Sequence, residues 1–134
     1  MKKVLFLALL FASFTSLACS CTSPTIEESV EYADFIYIGQ ITASRLDGEK
    51  RVINNLAANE LLKGQPDTDV LISYVEDGMC SMPAVVGLKY IVFGKKGKTP
   101  TLGICGATQV LSKSFGDSEE RVTKIKQAIA KKRL

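Results

Sequence analysis

Leu17-Ala18-Cys19-Ser20-Cys21 stands where an export signal ends and a cysteine-paired domain begins. Upstream, Lys2 and Lys3 form a basic start, and residues 4–14 supply an apolar run interrupted only by Ser13. Ser16 and Ala18 put small residues at positions −3 and −1 relative to Cys19, the three-part pattern of a secretory signal. Residues 1–18 are therefore predicted to be removed on export. The charged start separates this segment from an ordinary buried helix. The run is too short to span a bilayer, and no other apolar stretch approaches ~18 residues, so no transmembrane segment is expected after processing. A lipoprotein signal would also end at Cys19, with the sulfur lipidated and the amine acylated. Such signals place leucine at −3, whereas here Leu17 is at −2 and Ser16 at −3. That spacing favours plain cleavage and a periplasmic or extracellular product, with a lipid anchor at Cys19 as the alternative.

Removing 18 of 134 residues leaves 116 (134 − 18), enough for a single domain over residues 19–134 with one core. The signal takes two lysines and no acids, so the formal charge falls from +3 to +1 (3 − 2). That near-neutral balance argues against nucleic acid as a partner. There is no histidine and no tryptophan. Without histidine the commonest general base and the commonest zinc ligand are both missing. No nucleophile, base and orienting group can be assembled, so neither enzyme activity nor a cofactor is expected. The acidic pairs Glu27-Glu28 and Glu119-Glu120 fall at predicted helix starts, where capping and dipole compensation account for them better than an acid/base couple.

Cys19, Cys21, Cys80 and Cys105 are the only cysteines. In an exported domain, four cysteines read as two disulfides. Joining Cys19 to Cys21 would close a very tight ring and is disfavoured by sulfur geometry. Both remaining pairings tie the N-terminal pair to distant parts of the chain. They close loops of about 60 or 85 residues, each worth roughly 4 kcal/mol in the chain-entropy model. A four-thiolate zinc site is the rival reading, which an oxidising destination disfavours.

Along the chain, Thr25 followed by Glu28 has the form of a capping box, and Ile26, Val30 and Ala33 make an apolar stripe, so a helix is expected over residues 25–33. Residues 35–42, rich in β-branched and aromatic side chains, read as a first strand, with Gly39 marking a bulge or bend. Asp47-Gly48 is a turn signal. Residues 51–63 are ambiguous, since Ala57, Ala58, Asn59, Glu60 and Leu61 suit a helix while Val52-Ile53 begins like a strand; a strand ending at Leu62-Lys63-Gly64 is favoured because a barrel needs one there. Further strands are expected at 70–75, 89–94 and 101–105, the last extending towards 111, with a basic hairpin tip at Lys95-Lys96-Gly97-Lys98. Asp117 and Glu120 again suggest a capping box, opening a C-terminal amphipathic helix to about residue 132 whose apolar face is Val122, Ile125 and Ile129. From Arg121 onward there are six basic residues and no acid. Cations suit a helix C-terminus; contact with an anionic polysaccharide or envelope surface is the functional alternative. Five strands with flanking helices, tied at the N-terminus, predict a mainly β fold, a small five-stranded barrel for which the OB-fold is the candidate.

The ordered set of features resembles the tissue inhibitors of metalloproteinases and the netrin-like module they contain. The likeness starts with Cys-Ser-Cys at the predicted new N-terminus, a proline, a short helix and Ala33-Asp34 leading into a strand. It continues through Leu62-Lys63-Gly64, the strand and loop leading to Cys80, the stretch Gly87-Leu88-Lys89-Tyr90-Ile91-Val92-Phe93-Gly94-Lys95, and Cys105. It covers residues 19–111. The resemblance implies an OB-fold barrel with Cys19 paired to Cys80 and Cys21 to Cys105. It also implies an inhibitory wedge, here Cys19, Ser20, Cys21 and Thr22 with Gly78, Met79 and Cys80. In that mechanism the α-amine and carbonyl of Cys19 chelate a partner protease's zinc, and Ser20 enters the pocket beside it. The chain departs from the animal inhibitors in lacking their third disulfide within this module and their cysteine-rich C-terminal subdomain. The short stretch 43–51 also predicts no long contact-widening hairpin. Netrin-like modules that inhibit nothing exist, so a non-inhibitory binding module is the second expectation.

Overall fold

A computed structural model of the chain describes residues 19–75, 80–115 and 117–134. The predicted signal, residues 1–18, lies outside them, as do Gly78 and Met79 of the expected wedge. Helix α1 (Ile26–Tyr32) is followed by strands β1 (Phe35–Asp47), β2 (Arg51–Lys63), β3 (Val70–Tyr74), β4 (Lys89–Gly94) and β5 (Gln109–Leu111). A 3-10 turn (Lys113–Phe115) and helix α2 (Ser118–Lys132) complete the chain.

The strands form one antiparallel sheet in the order β3-β2-β1-β4-β5. Its far edge is closed by the segment between β4 and β5. The Ile72 amide donates to the Pro100 carbonyl at 2.9 Å, and the Leu102 amide donates back to Ile72 at 2.7 Å, a parallel bridge that curls the sheet into a barrel. The result is the expected five-stranded, OB-like barrel flanked by two helices. Closure needs sharp bends. The β1–β2 register slips at Ile36/Tyr37, Ile38/Gly39 and Ile41/Ala43. At Gly39 an added Cβ would sit 2.9 Å from the Tyr37 ring and 3.2 Å from the Ala57 carbonyl, so the bend requires glycine.

Alternation along β1 and β4 divides the core in two. Phe35, Tyr37, Ile41, Tyr90 and Val92 point into the barrel with Leu56, Leu71 and Leu102. Ile36, Ile38 and Ile91 point the other way, onto Val30 and Ala33 of the α1 segment and Ile125, Ala128 and Ile129 of α2. Both faces of these two strands are buried, which is why they read as nearly continuous apolar runs. Tyr37 is almost wholly enclosed, and burial pushes its hydroxyl pKa up to about 12. Its hydroxyl oxygen has no hydrogen-bond partner among the described residues.

Several sequence expectations are met and others are corrected. Thr25 and Glu28 form the capping box: the Glu28 carboxylate accepts from the Thr25 amide at 2.8 Å, and the Glu28 amide donates to the Thr25 hydroxyl at 3.2 Å. The last turn of α1 has no basic residue of its own. Lys63 of β2 supplies one, its Nζ donating to the Val30 and Ala33 carbonyls at 2.6 and 2.5 Å. Residues 57–61 are strand in spite of their helical composition, paired to β1 at every position but Asn59, where the register slips.

The stretch 43–47, expected as a link to a turn, is instead a continuation of β1 paired to the start of β2. The hairpin tip lies level with the end of β3, where the Val75 amide donates to the Lys50 carbonyl. The expected continuous strand over 101–105 is broken. Only single bridges at Thr101 and Gly103 occur there, and the final strand comes later, at Gln109–Leu111. The expected capping box at Asp117 is absent: with ψ at 50° its side chain makes no cap hydrogen bond. Ser118 closes that helix start instead, its hydroxyl donating to the Ser112 carbonyl at 3.0 Å.

Candidate functional site

Three segments meet at one end of the barrel: the N-terminal residues 19–22, the start of the β3–β4 connection at Cys80 and Ser81, and residues 103–105. Cys19 is joined to Cys80 and Cys21 to Cys105, with Cα–Cα separations of 5.7 and 5.3 Å. Of the two pairings that tie the N-terminal cysteines to the distant ones, this interleaved one is the one that the family resemblance implies. Ser81 pairs antiparallel with Gly103, and the Ile104 amide donates to the Cys80 carbonyl at 3.3 Å, so the two cysteine-bearing segments are also strapped to each other.

The barrel anchors this platform from beneath. Leu102 is buried in its interior, and Met82 and Ala84 pack against the same cluster. The terminus is held from behind as well. Only Thr22, Ser23 and Pro24 separate Cys21 from Thr25, the capped start of α1. Cys19, Ser20, Cys21 and Thr22 are all exposed, with Ser20 between the two bonded cysteines. A short peptide is thus displayed on two covalent links, with most of its conformational freedom already removed. The structure therefore brings together Cys19, Ser20, Cys21, Thr22 and Cys80.

The surroundings include apolar residues that sequence reading did not single out. Ile104, beside Cys80, and Val75, Val85 and Val86, on the chain flanking the Cys80 loop, are each about half exposed. Val75 and Ile104 fall within strands expected from the sequence, but nothing there marked them as exposed. Of these, Ile104 is tied directly to Cys80 through its amide, and exposed apolar residues of this kind suit contact.

The basic elements are compensated in part. In the Lys95–Lys98 turn, Lys95 pairs with Asp34 at 3.3 Å, and the Lys96 and Gly97 amides donate to Asp34 and Asp67. The Lys96 amide chiefly holds the Asp34 carboxyl below its ordinary pKa. On α2, Lys124 pairs with Glu120, Lys126 with Glu60 of β2, and Lys132 with Glu31 of α1. The last two tie the helix to β2 and α1, while the first lies within α2 itself.

Among the described residues no group of three or more His, Cys, Asp or Glu side chains is placed to hold a metal. No helix among them is long and apolar enough to cross a membrane. The two disulfides fit an exported protein. In class, then, the chain is a small closed β-barrel with two flanking helices and a disulfide-tied N-terminal segment. Compared with known proteins, its sequence matches no family model and no curated protein.

Proposed function

We propose that the exported protein is a metalloprotease inhibitor of the netrin-like kind, acting through the free α-amine and carbonyl of Cys19. The observation that carries this reading is the pair of disulfides that presents the exposed residues 19–22 on a rigid platform beside Cys80. A catalytic zinc keeps one coordination position for water. An α-amine with an ordinary pKa near ~7.7 to 8 loses its proton at little cost to take that position, and the adjacent carbonyl supplies a second donor. Ser20, fixed between two bonded cysteines, is the side chain that would enter the pocket next to the metal. Gly78, Met79 and Thr22 complete the contact in this reading. Because the terminus is fixed before docking, little entropy is lost on binding.

The disulfide bears on the lipid-anchor alternative. The Cys19 sulfur is bonded to Cys80; a lipid thioether would need that same sulfur, so the two fates exclude each other. A chain carrying the Cys19–Cys80 bond has no lipid on that sulfur; inhibition in this reading further requires cleavage before Cys19 and an unacylated amine.

The test compares the processed protein with a version bearing one extra N-terminal alanine. The added residue removes the amine from Cys19 and should abolish inhibition of a zinc endopeptidase. Equal inhibition by both forms would contradict chelation. Inhibition by neither, across a broad panel of zinc proteases, would favour a non-inhibitory binding module that uses the exposed apolar residues.

A further inference from the structure

A second candidate site lies away from the wedge. A cleft of ≈ 670 Å³ opens between α1 and the segments 98–101 and 106–108, within the size range of small-ligand sites. Its walls are mainly apolar, formed by Tyr32, Phe93, Pro24, Pro100 and Ala107. Tyr32 is conspicuous: it is 65% exposed at the end of a short helix, with the Lys95 ammonium 4.7 Å from the centre of its ring.

The charges lining the cleft are mostly engaged. Glu28 is held by Thr25, Glu31 by Lys132, and Lys95 by Asp34. Lys98, on the wall opposite α1, has no side-chain ion pair or hydrogen bond among the described residues.

A second cation stands behind Ala107, another residue that lines the cleft. Arg121 Nη2 donates to the carbonyl of Ala107 at 3.1 Å, while its Nε is buried without a partner among the described residues. No carboxylate there pairs with it, and burial alone lowers its pKa from the ordinary value. A guanidinium stays charged under these conditions. It therefore projects an uncompensated positive field through the Ala107 wall. One side of the cleft is thus electropositive and the middle is apolar and aromatic, while the carboxylates of α1 line the far side.

We propose that this cleft binds a small amphipathic carboxylate, with its apolar body against Tyr32 and Phe93 and its carboxylate at Lys98, beside Ala107. The acidic helix wall sets the orientation, since the anion is repelled from Glu28 and Glu31 and drawn to Lys98 and the field of Arg121. This site uses none of the wedge residues and stands whether or not the protein inhibits a protease.

The test titrates the isotope-labelled exported protein with 3-phenylpropanoate and, separately, with its neutral amide, following backbone amide shifts by NMR. The acid should give saturable shifts at Lys98, Gly106 and Ala107. The amide should bind about tenfold more weakly, the effect of losing one charge-assisted hydrogen bond. Lys98→Gln should bring the acid down to the affinity of the amide and leave the amide unaffected, and because Lys98 is exposed the melting temperature should not change. Tyr32→Ala should weaken both ligands. The proposal is overturned by any of three results: no saturable shift, shifts that map to residues outside the cleft, or equal affinity for acid and amide.

Discussion

The slab made by β1, β4 and the two helices and the end that carries Cys19 are held by different forces. In the slab, Ile36 and Ile91 are sealed beneath the helices while Tyr37 and Tyr90 fill the barrel on the opposite face. Each such side chain contributes about 1.5–3 kcal/mol by leaving water, and none can move without disturbing its neighbours. At the other end, residues 19–22 are exposed and are held chiefly by two sulfur–sulfur bonds and the short run into α1. A segment fixed covalently needs no buried face, so its side chains are free to serve contact. The barrel is a mount whose composition is dictated by packing; the terminus has a composition constrained only at its two cysteines.

The largest test of this contrast is Ile91→Ala. The lost contacts and the cavity left between sheet and helices should cost about 2–5 kcal/mol, seen as an earlier midpoint in denaturant with every probe shifting together. A change confined to local spectra would mean that the slab is less unified than described. Next, replacing Cys19 and Cys80 together by serine should lower stability by no more than about 3 kcal/mol, since Cys21–Cys105 still closes the longer loop. Far-UV circular dichroism should be unchanged, and amide exchange should quicken at residues 20–22 while β1 and β4 stay protected. Loss of the barrel in this variant would break the distinction between the two regions.

Smaller still, Lys63→Met removes the cation that caps α1 from the neighbouring strand and should cost about 1–2 kcal/mol. It should appear first as fraying of residues 30–33 in hydrogen exchange. The last effect is absent at neutral pH and confined to alkaline pH. Because Tyr37 keeps its proton to about 12 in the fold against an ordinary 10.0, stability should be unaffected below pH 10 and fall between pH 10 and 12 as the unfolded chain ionises first. Tyr37→Phe should remove that decline without loss of stability at neutral pH.

What could be read from the sequence was local or repetitive. Thr25 and Glu28 cap their helix because both partners lie within one turn, and strands β3 and β4 follow from their apolar runs. Residues 57–61 had the composition of a helix, and only pairing with β1 makes them strand, so propensity could not decide. Asp117 resembled Thr25 in sequence but fails as a side-chain cap, because Ser118 reaches back to Ser112 and fixes a different entry. The break in the last strand was invisible because its cause is closure: Thr101 is drawn to Ile72 on the opposite edge, and the chain must turn before it can pair with β4. The covalent site was legible because four cysteines behind an export-like signal read as two disulfides. The cleft was not, since Tyr32, Lys98, Ala107 and Arg121 are far apart in the chain and Arg121 looked like one more member of a basic run.

The central claim is that the barrel presents a free Cys19 amine on a terminus whose sulfur is already bonded. The intact mass of the exported protein, taken before and after reduction, tests it directly. The expected species begins at Cys19, carries no acyl or lipid group, and gains four hydrogens on reduction as its two disulfides open. A mass bearing a lipid on Cys19, or a gain of only two hydrogens, would contradict it.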